Sequence, residues 1–180
     1  AGKNARVGDT VLVSGTMGDH GVTIVSMREG LSFEAPIQSD SAPLNGLVAD
    51  MMAVSNNIRA LRDPTRGGLV TTLNEIALQS DVGIELVEDQ IPVREGVEGA
   101  CELLGLDPLY LANEGKLIAF VDPAEAETVL EAMKKNQYGR EAAIIGRVTA
   151  DNAGKVFMKT GIGGTRILDM LAGEQLPRIC

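Results

Sequence analysis

The sequence predicts an α+β fold in which strands and helices alternate in the α/β manner and a single sheet is covered by helices. Two observations predict it. Short β-branched or apolar runs alternate along the chain with stretches whose apolar residues recur at helical spacing. Hydrophobic residues make up 44% of the 180 residues, at a mean hydropathy of +0.08, so a substantial core can form. Aromatics are 3% and Trp is absent, which leaves Leu, Ile, Val, Met and Ala to fill that core.

The elements follow in order. Thr10 to Ser14 is a buried strand closed by Gly15, and a helix starts near Asp19 and ends at Gly30. Ser32 to Ala42 is a polar loop. From Pro43 a helix carries Leu44, Leu47, Val48, Met51 and Met52 at helical spacing. Ile58 to Leu61 is a strand, and a helix runs from about Gly67 to Leu78. Val82 to Val87 alternates as a strand does, and Glu95 to Leu104 is a helix stopped by Gly105-Leu-Asp-Pro108. Lys116 to Val121 is a strand. Pro123 to Lys135 is a helix with Pro at its start and lysines at its end. Ala142 to Val148 and Lys155 to Met158 are strands around the turn Asp151-Asn-Ala-Gly154. After Thr160 no periodicity remains, so the expected division is a domain over 1–160 and a glycine-containing linker and flexible tail over 161–180.

Composition also limits function. A net charge of −9 with few aromatics speaks against nucleic acid and anionic membrane as partners. No apolar run approaches the length of a membrane span, and the first residues have no hydrophobic signal region. Two cysteines, Cys101 and Cys180, are too few for a disulfide framework or a four-ligand zinc site, and a reducing cytoplasm is the expected setting. The opening residues lead straight into a strand, which suggests a fragment of a longer chain.

Asp63-Pro-Thr-Arg-Gly-Gly68 lies between a strand and a helix, where helix-start N–H groups favour anions. Asp63 and Thr65 can cap the helix, Arg66 can clamp an oxyanion, and Gly67 and Gly68 admit a close ligand. A plain capped turn explains the same residues. Gly15-Thr-Met-Gly-Asp-His-Gly21 is a second glycine-rich turn that can approach the same ligand; it holds Asp19 and His20, the single histidine. A tight turn with Asp19 as helix cap is its plain reading. Glu114, in Asn113-Glu-Gly115, sits just before a strand, where a general base can reach a proton and where solvent-facing acids are also common.

Cys180 is the last residue, after Leu-Pro-Arg-Ile, and packs nothing that needs a thiol. It offers a nucleophile on an arm whose last nine or so residues reach on the order of 30 Å when extended. A prenylation box is excluded, since its cysteine stands four from the end. Cys101, in Ala100-Cys-Glu-Leu-Leu, reads as a small buried hydrophobe.

Together, Ser14 to Gly21, Asp63-Pro-Thr-Arg-Gly-Gly-Leu69, Asn113-Glu-Gly-Lys116 and Leu176-Pro-Arg-Ile-Cys180 resemble the HypE family of hydrogenase maturation proteins, within the aminoimidazole ribonucleotide synthetase superfamily. The resemblance covers essentially the whole chain. Its terminal Pro-Arg-Ile-Cys is the most specific part, because selenophosphate synthetase and thiamine monophosphate kinase lack it. The resemblance implies the carboxy-terminal domain of such a protein, with the ATP-binding amino-terminal domain absent from this chain. It implies an ATP-dependent carbamoyl dehydratase: HypF carbamoylates the terminal thiol, ATP drives dehydration to a thiocyanate, and the cyano group passes to iron on the HypC–HypD complex for nickel–iron hydrogenase.

In that scheme Cys180 and Glu114 are catalytic. Asp63, Thr65, Arg66, Gly67, Gly68, Asp19 and His20 face the triphosphate. ATP comes with magnesium, held mostly by the missing half, and no metal ligand falls in this chain. A homodimer is implied for the full-length protein, and the fragment alone is expected to be inactive. Two other readings fit the residues less specifically: another ATP-dependent small-molecule kinase or ligase of the superfamily, and a non-catalytic docking module.

Overall fold

The computed structural model describes residues 4–30 and 43–170. The expected loop from Ser32 to Ala42 and the expected mobile tail with Cys180 lie outside the described residues. Seven strands among them form one sheet: β1 (Thr10–Val13), β2 (Ile58–Arg62), β3 (Gly83–Val87), β4 (Ile118–Val121), β5 (Ala143–Thr149), β6 (Val156–Lys159) and β7 (Thr165–Ile167). Five α-helices accompany them: α1 (Asp19–Glu29), α2 (Asn45–Val54), α3 (Gly68–Ser80), α4 (Glu95–Leu104) and α5 (Ala126–Lys135).

The strand order is β2-β4-β1-β5-β3-β6-β7, antiparallel throughout except where β3 lies parallel to β6. The fold is α+β. The alternation of strands and helices, which in sequence looks like an α/β pattern, here builds a mostly antiparallel sheet with a helical cover.

The pleat explains the layering. Along β4, Ile118 and Phe120 enter one core with Val11 and Val13, while Ala119 and Val121 enter another with Leu12. The first core is roofed by α3 through Leu69, Val70, Leu73, Ile76 and Ala77. The second is roofed by α2 and α5 through Leu47, Met51, Val129 and Met133. With both faces covered, β4 is wholly buried, which accounts for its unbroken apolar run. A third cluster joins Val22 of α1 to Val97, Ala100 and Cys101 of α4, with Leu111. No helix among the described residues is long and apolar enough to cross a membrane.

Two boundaries differ from the sequence pattern. Helix α5 begins at Ala126 and not at Pro123, because the Asp122 carboxylate accepts the Ala124 N–H at 2.9 Å and closes a turn first. More consequentially, the ordered body does not stop at Thr160. β7 pairs antiparallel with β6, and Leu168 behind it is fully buried in the first core. All three β7 side chains are exposed, so the strand carries no alternation for sequence reasoning to detect.

Candidate functional site

Antiparallel pairing sets which loops meet. β1 and β2 flank β4, each antiparallel to it, so the ends of β1 and β2 and the start of β4 lie at one edge of the sheet. The residues that follow or precede those ends are the three motifs: 14–21, 63–68 and 111–116. They are separated in sequence and brought together by topology alone.

Asn113 ties them. Its Oδ1 accepts the Gly18 N–H at 2.8 Å, and its Nδ2 donates to the Pro64 and Leu111 carbonyls, each at 3.1 Å. Its own N–H donates to the Pro64 carbonyl at 3.0 Å. The residue is buried, so every one of these bonds is shielded from water. Ser14 adds a reciprocal link: its N–H donates to the Leu117 carbonyl at 3.0 Å, and its Oγ accepts the Leu117 N–H at 2.9 Å.

Two glycines permit the close approach. A Cβ on Gly21 would lie 2.7 Å from the Leu111 Cβ. Gly68 has φ +68°, and a Cβ there would meet the Leu111 and Leu109 carbonyl oxygens at 2.5 and 2.7 Å. Helix α3 therefore starts directly against the chain at 109–111. Neither Asp63 nor Thr65 caps it: the cap position is Gly67, with no side-chain bond. The expected capping does not occur because the turn is closed by the Gly68 N–H on the Thr65 carbonyl at 3.2 Å.

Asp19 departs from its expected place. Its side chain is fully buried, and it does not cap α1, whose cap position is Gly18. Oδ2 accepts from the Lys116 ammonium at 3.2 Å and from the Thr16 hydroxyl. Oδ1 has no hydrogen-bond partner and faces Arg94 Nε at 3.6 Å. Lys116 also donates to the Thr16 carbonyl at 2.9 Å. A buried carboxylate thus neutralises a buried ammonium and fixes the 14–21 turn against the start of β4.

The other expected residues within the described part of the chain differ in exposure. Asp63, Arg66, Gly67 and Glu114 are exposed, Thr65 and His20 are half-buried, and Gly68 is buried. Beside the 63–68 loop opens a concavity of ≈ 340 Å³ lined by Leu44, Val48, Leu61, Arg62, Asp63, Thr65 and Leu117. Arg62 is held there by Glu75, 2.7 Å away. No group of three His, Cys, Asp or Glu side chains among the described residues can hold a metal ion. Cys101 is buried, and burial first, with the charges of Asp107 and Glu98 second, pushes its thiol up to about 11.

Sequence reasoning quoted Asn113 and Lys116 inside a motif but gave neither a role. A signal for Lys116 existed: a lysine opening the otherwise apolar run Leu117-Ile-Ala-Phe-Val121 needs a buried counter-charge.

A helix-covered, mostly antiparallel sheet with glycine-rich loops gathered at one edge defines the class of domain. Residues 6–159 match the AIR synthase related protein, C-terminal domain family, and the chain belongs to that family. Within it, the chain is 63% identical over 180 residues to the carbamoyl dehydratase HypE of Azotobacter vinelandii, covering 100% of this chain and 53% of that protein. A crystal structure of hydrogenase maturation protein HypE in complex with ATP superposes with a TM-score of 0.94 at 52% identity, over 100% of this chain and 55% of the other. A HypE–HypF complex gives a TM-score of 0.91 at 48% identity, over 95% and 55% of the two chains. The chain spans about half the length of the curated relatives it matches.

Proposed function

We propose that this chain is the carboxy-terminal half of a HypE-type carbamoyl dehydratase that matures nickel–iron hydrogenase. The observation that carries the reading is the Asn113 knot. It holds the 14–21 and 63–68 loops together and sets the neighbouring, solvent-facing Glu114 beside them. Identity of 63% over the whole chain with a carbamoyl dehydratase supports it.

In this reading HypF places a carbamoyl group on the Cys180 thiol. The carbamoyl oxygen attacks the γ-phosphorus of ATP, releasing ADP. Two protons leave the amide nitrogen, the C–O bond breaks, and inorganic phosphate departs, leaving S–C≡N on Cys180. Phosphate is a good leaving group where water is a poor one, which is why the step consumes ATP. Glu114 is the base at nitrogen. Thr65, Arg66, Gly67 and Gly68, with His20 across the cleft, line the side that meets the triphosphate, where positioning and charge neutralisation dominate. Asp63 borders the same loop, and Asp19 acts from behind it as the counter-ion of Lys116.

ATP binding is said of a relative with 52% identity, and assembly with HypF of one with 48%. The reading takes ATP with magnesium and assigns the metal's ligands mostly to an amino-terminal half. Homodimer formation, transfer of cyanide to HypC–HypD and a cytoplasmic setting complete the proposal.

The test is mass spectrometry of the terminal peptide. With HypF, carbamoyl phosphate and ATP, the full-length protein gains a carbamoyl group on Cys180 and then loses the mass of water. Retention of the carbamoyl group in the presence of ATP would sink the reading.

A further inference from the structure

The edge of the sheet that holds the site is wider than the three loops that form it. β5 starts beside the end of β1, with Val13 opposite Ala143. β3 ends on the same side, with Leu86 opposite Gly146. The segments that precede β5 and follow β3 therefore reach this edge as well, on the flank of the 14–21 loop away from β4. They bring Glu141 and Arg94.

The stretch before Arg94 is joined to the 14–21 loop, since the Met17 N–H donates to the Pro92 carbonyl at 2.8 Å. Arg94 itself is half exposed. Its Nε lies 3.6 Å from Asp19 Oδ1, and its Nη2 lies 3.6 Å from Glu141 Oε2. Both contacts are ionic and too long for hydrogen bonds. Among the described residues the guanidinium makes no hydrogen bond, so its N–H donors are uncommitted. Charges alternate through Lys116, Asp19, Arg94 and Glu141, from the buried start of β4 out to the surface.

The two acids hold Arg94 unequally. Asp19 is fully buried and its Oδ1 has no hydrogen-bond partner, so the attraction on that side is poorly screened by water. Glu141 is 57% exposed, and an ion pair there is weak. A planar fork with free donors, anchored from behind by a buried carboxylate and opposed in front by a solvated one, suits a phosphate group, which can accept from it at two points.

We infer that Arg94 is a phosphate-binding residue, which takes the triphosphate of ATP from the flank of the 14–21 loop away from β4. The phosphate replaces Glu141 as the partner of Nη2, while Asp19 keeps the guanidinium in place. This deepens the reading above and rests on it for the identity of the ligand.

The experiment uses the full-length protein and measures binding of ATP and of adenosine by calorimetry at low salt. Arg94→Gln is expected to weaken ATP by at least about tenfold, the loss of a charge-assisted contact, and to leave adenosine unchanged. Arg94→Lys keeps a charge facing Asp19 without the fork, and its affinity for ATP should fall between wild type and Arg94→Gln. Glu141→Gln removes the competing acid and is expected to tighten ATP by about twofold or more. A residue that only supports the loop would not produce opposite shifts in the two Gln variants.

Unchanged ATP affinity in Arg94→Gln overturns the inference, and so does an equal weakening of ATP and adenosine. Either result beside normal dehydration of the Cys180 carbamoyl group leaves the carbamoyl reading standing. Weakened ATP binding in Arg94→Gln, in a protein whose wild type never dehydrates that group, supports the phosphate contact and refutes the carbamoyl reading instead. A wild-type protein that binds no ATP overturns both.

Discussion

The Lys116 ammonium lies 3.2 Å from the Asp19 carboxylate, and both groups are buried. Removing Lys116 takes the nearest counter-charge from the fully buried Asp19 carboxylate and leaves Arg94 Nε at 3.6 Å as its remaining cation. Lys116→Met is therefore expected to destabilise the domain by about 3–5 kcal/mol. Adding Asp19→Asn removes the stranded charge, and the double variant is expected to recover a large part of that loss. Urea unfolding of the two single variants and the double variant gives the coupling directly. Additive losses would mean that the pair does not interact.

The Asn113 knot makes a different prediction, because it has no charge to strand. Asn113→Ala deprives the Gly18 N–H of its buried acceptor and the Leu111 and Pro64 carbonyls of the side-chain donor, while the Pro64 carbonyl keeps the backbone N–H of residue 113. The expected loss is about 2–3 kcal/mol. The 14–21 and 63–68 loops lose their common post, so ATP-dependent dehydration should fall further than stability alone explains. A thermal shift set beside the single-turnover rate separates the two effects.

The layers were legible in the sequence because their signal is local. Periodicity placed α2, α3 and α4 near their observed bounds, and the apolar run of β4 announced burial on both faces. What could not be read was which strands neighbour each other. β1 and β2 flank β4 only through long connections, and that pairing alone brings Gly18, Pro64 and Asn113 into contact. Side-chain direction was also hidden. Asp19 looks like a helix cap in sequence, yet its partner is Lys116, 97 positions on. β7 escaped for a third reason: an edge strand exposed on both faces leaves no hydrophobic trace.

Cys101 supplies a pH test. In the folded protein its thiol titrates at about 11, against an ordinary value of 9.0. Between those values the unfolded chain binds fewer protons than the folded one, so the stabilising contribution of this thiol is full below pH 9 and lost as pH rises towards 11. Cys101→Ser is expected to lower stability by about 1–2 kcal/mol at pH 7, since a hydroxyl enters an apolar cluster. The gap between wild type and variant should narrow above pH 9, read from chemical unfolding at several pH values. Carbamoylation at Cys180 should be unaffected, and loss of label from Cys101→Ser would identify the wrong cysteine as carrier.

Glu114 carries the sharpest prediction, because its proposed chemistry is separable from the fold. The side chain is exposed and makes no hydrogen bond or ion pair among the described residues. Its backbone, by contrast, is held between Asn113 and Lys116, both buried and both bonded to other loops. In the proposed role of base, Glu114 would be anchored through its backbone while its tip stays exposed. Glu114→Gln keeps the shape and removes only the ability to take a proton, so stability should change by no more than about 0.5 kcal/mol. Carbamoylation by HypF needs the thiol and not this carboxylate, and should proceed at the wild-type rate. Dehydration needs a base at nitrogen, and should slow by about 10²–10⁴-fold. The mass of the Cys180 peptide reports both steps in one experiment: the carbamoyl adduct should accumulate and persist with ATP present. If the adduct loses water at the normal rate, the base is another residue, and the Asn113 knot then serves only to join the loops.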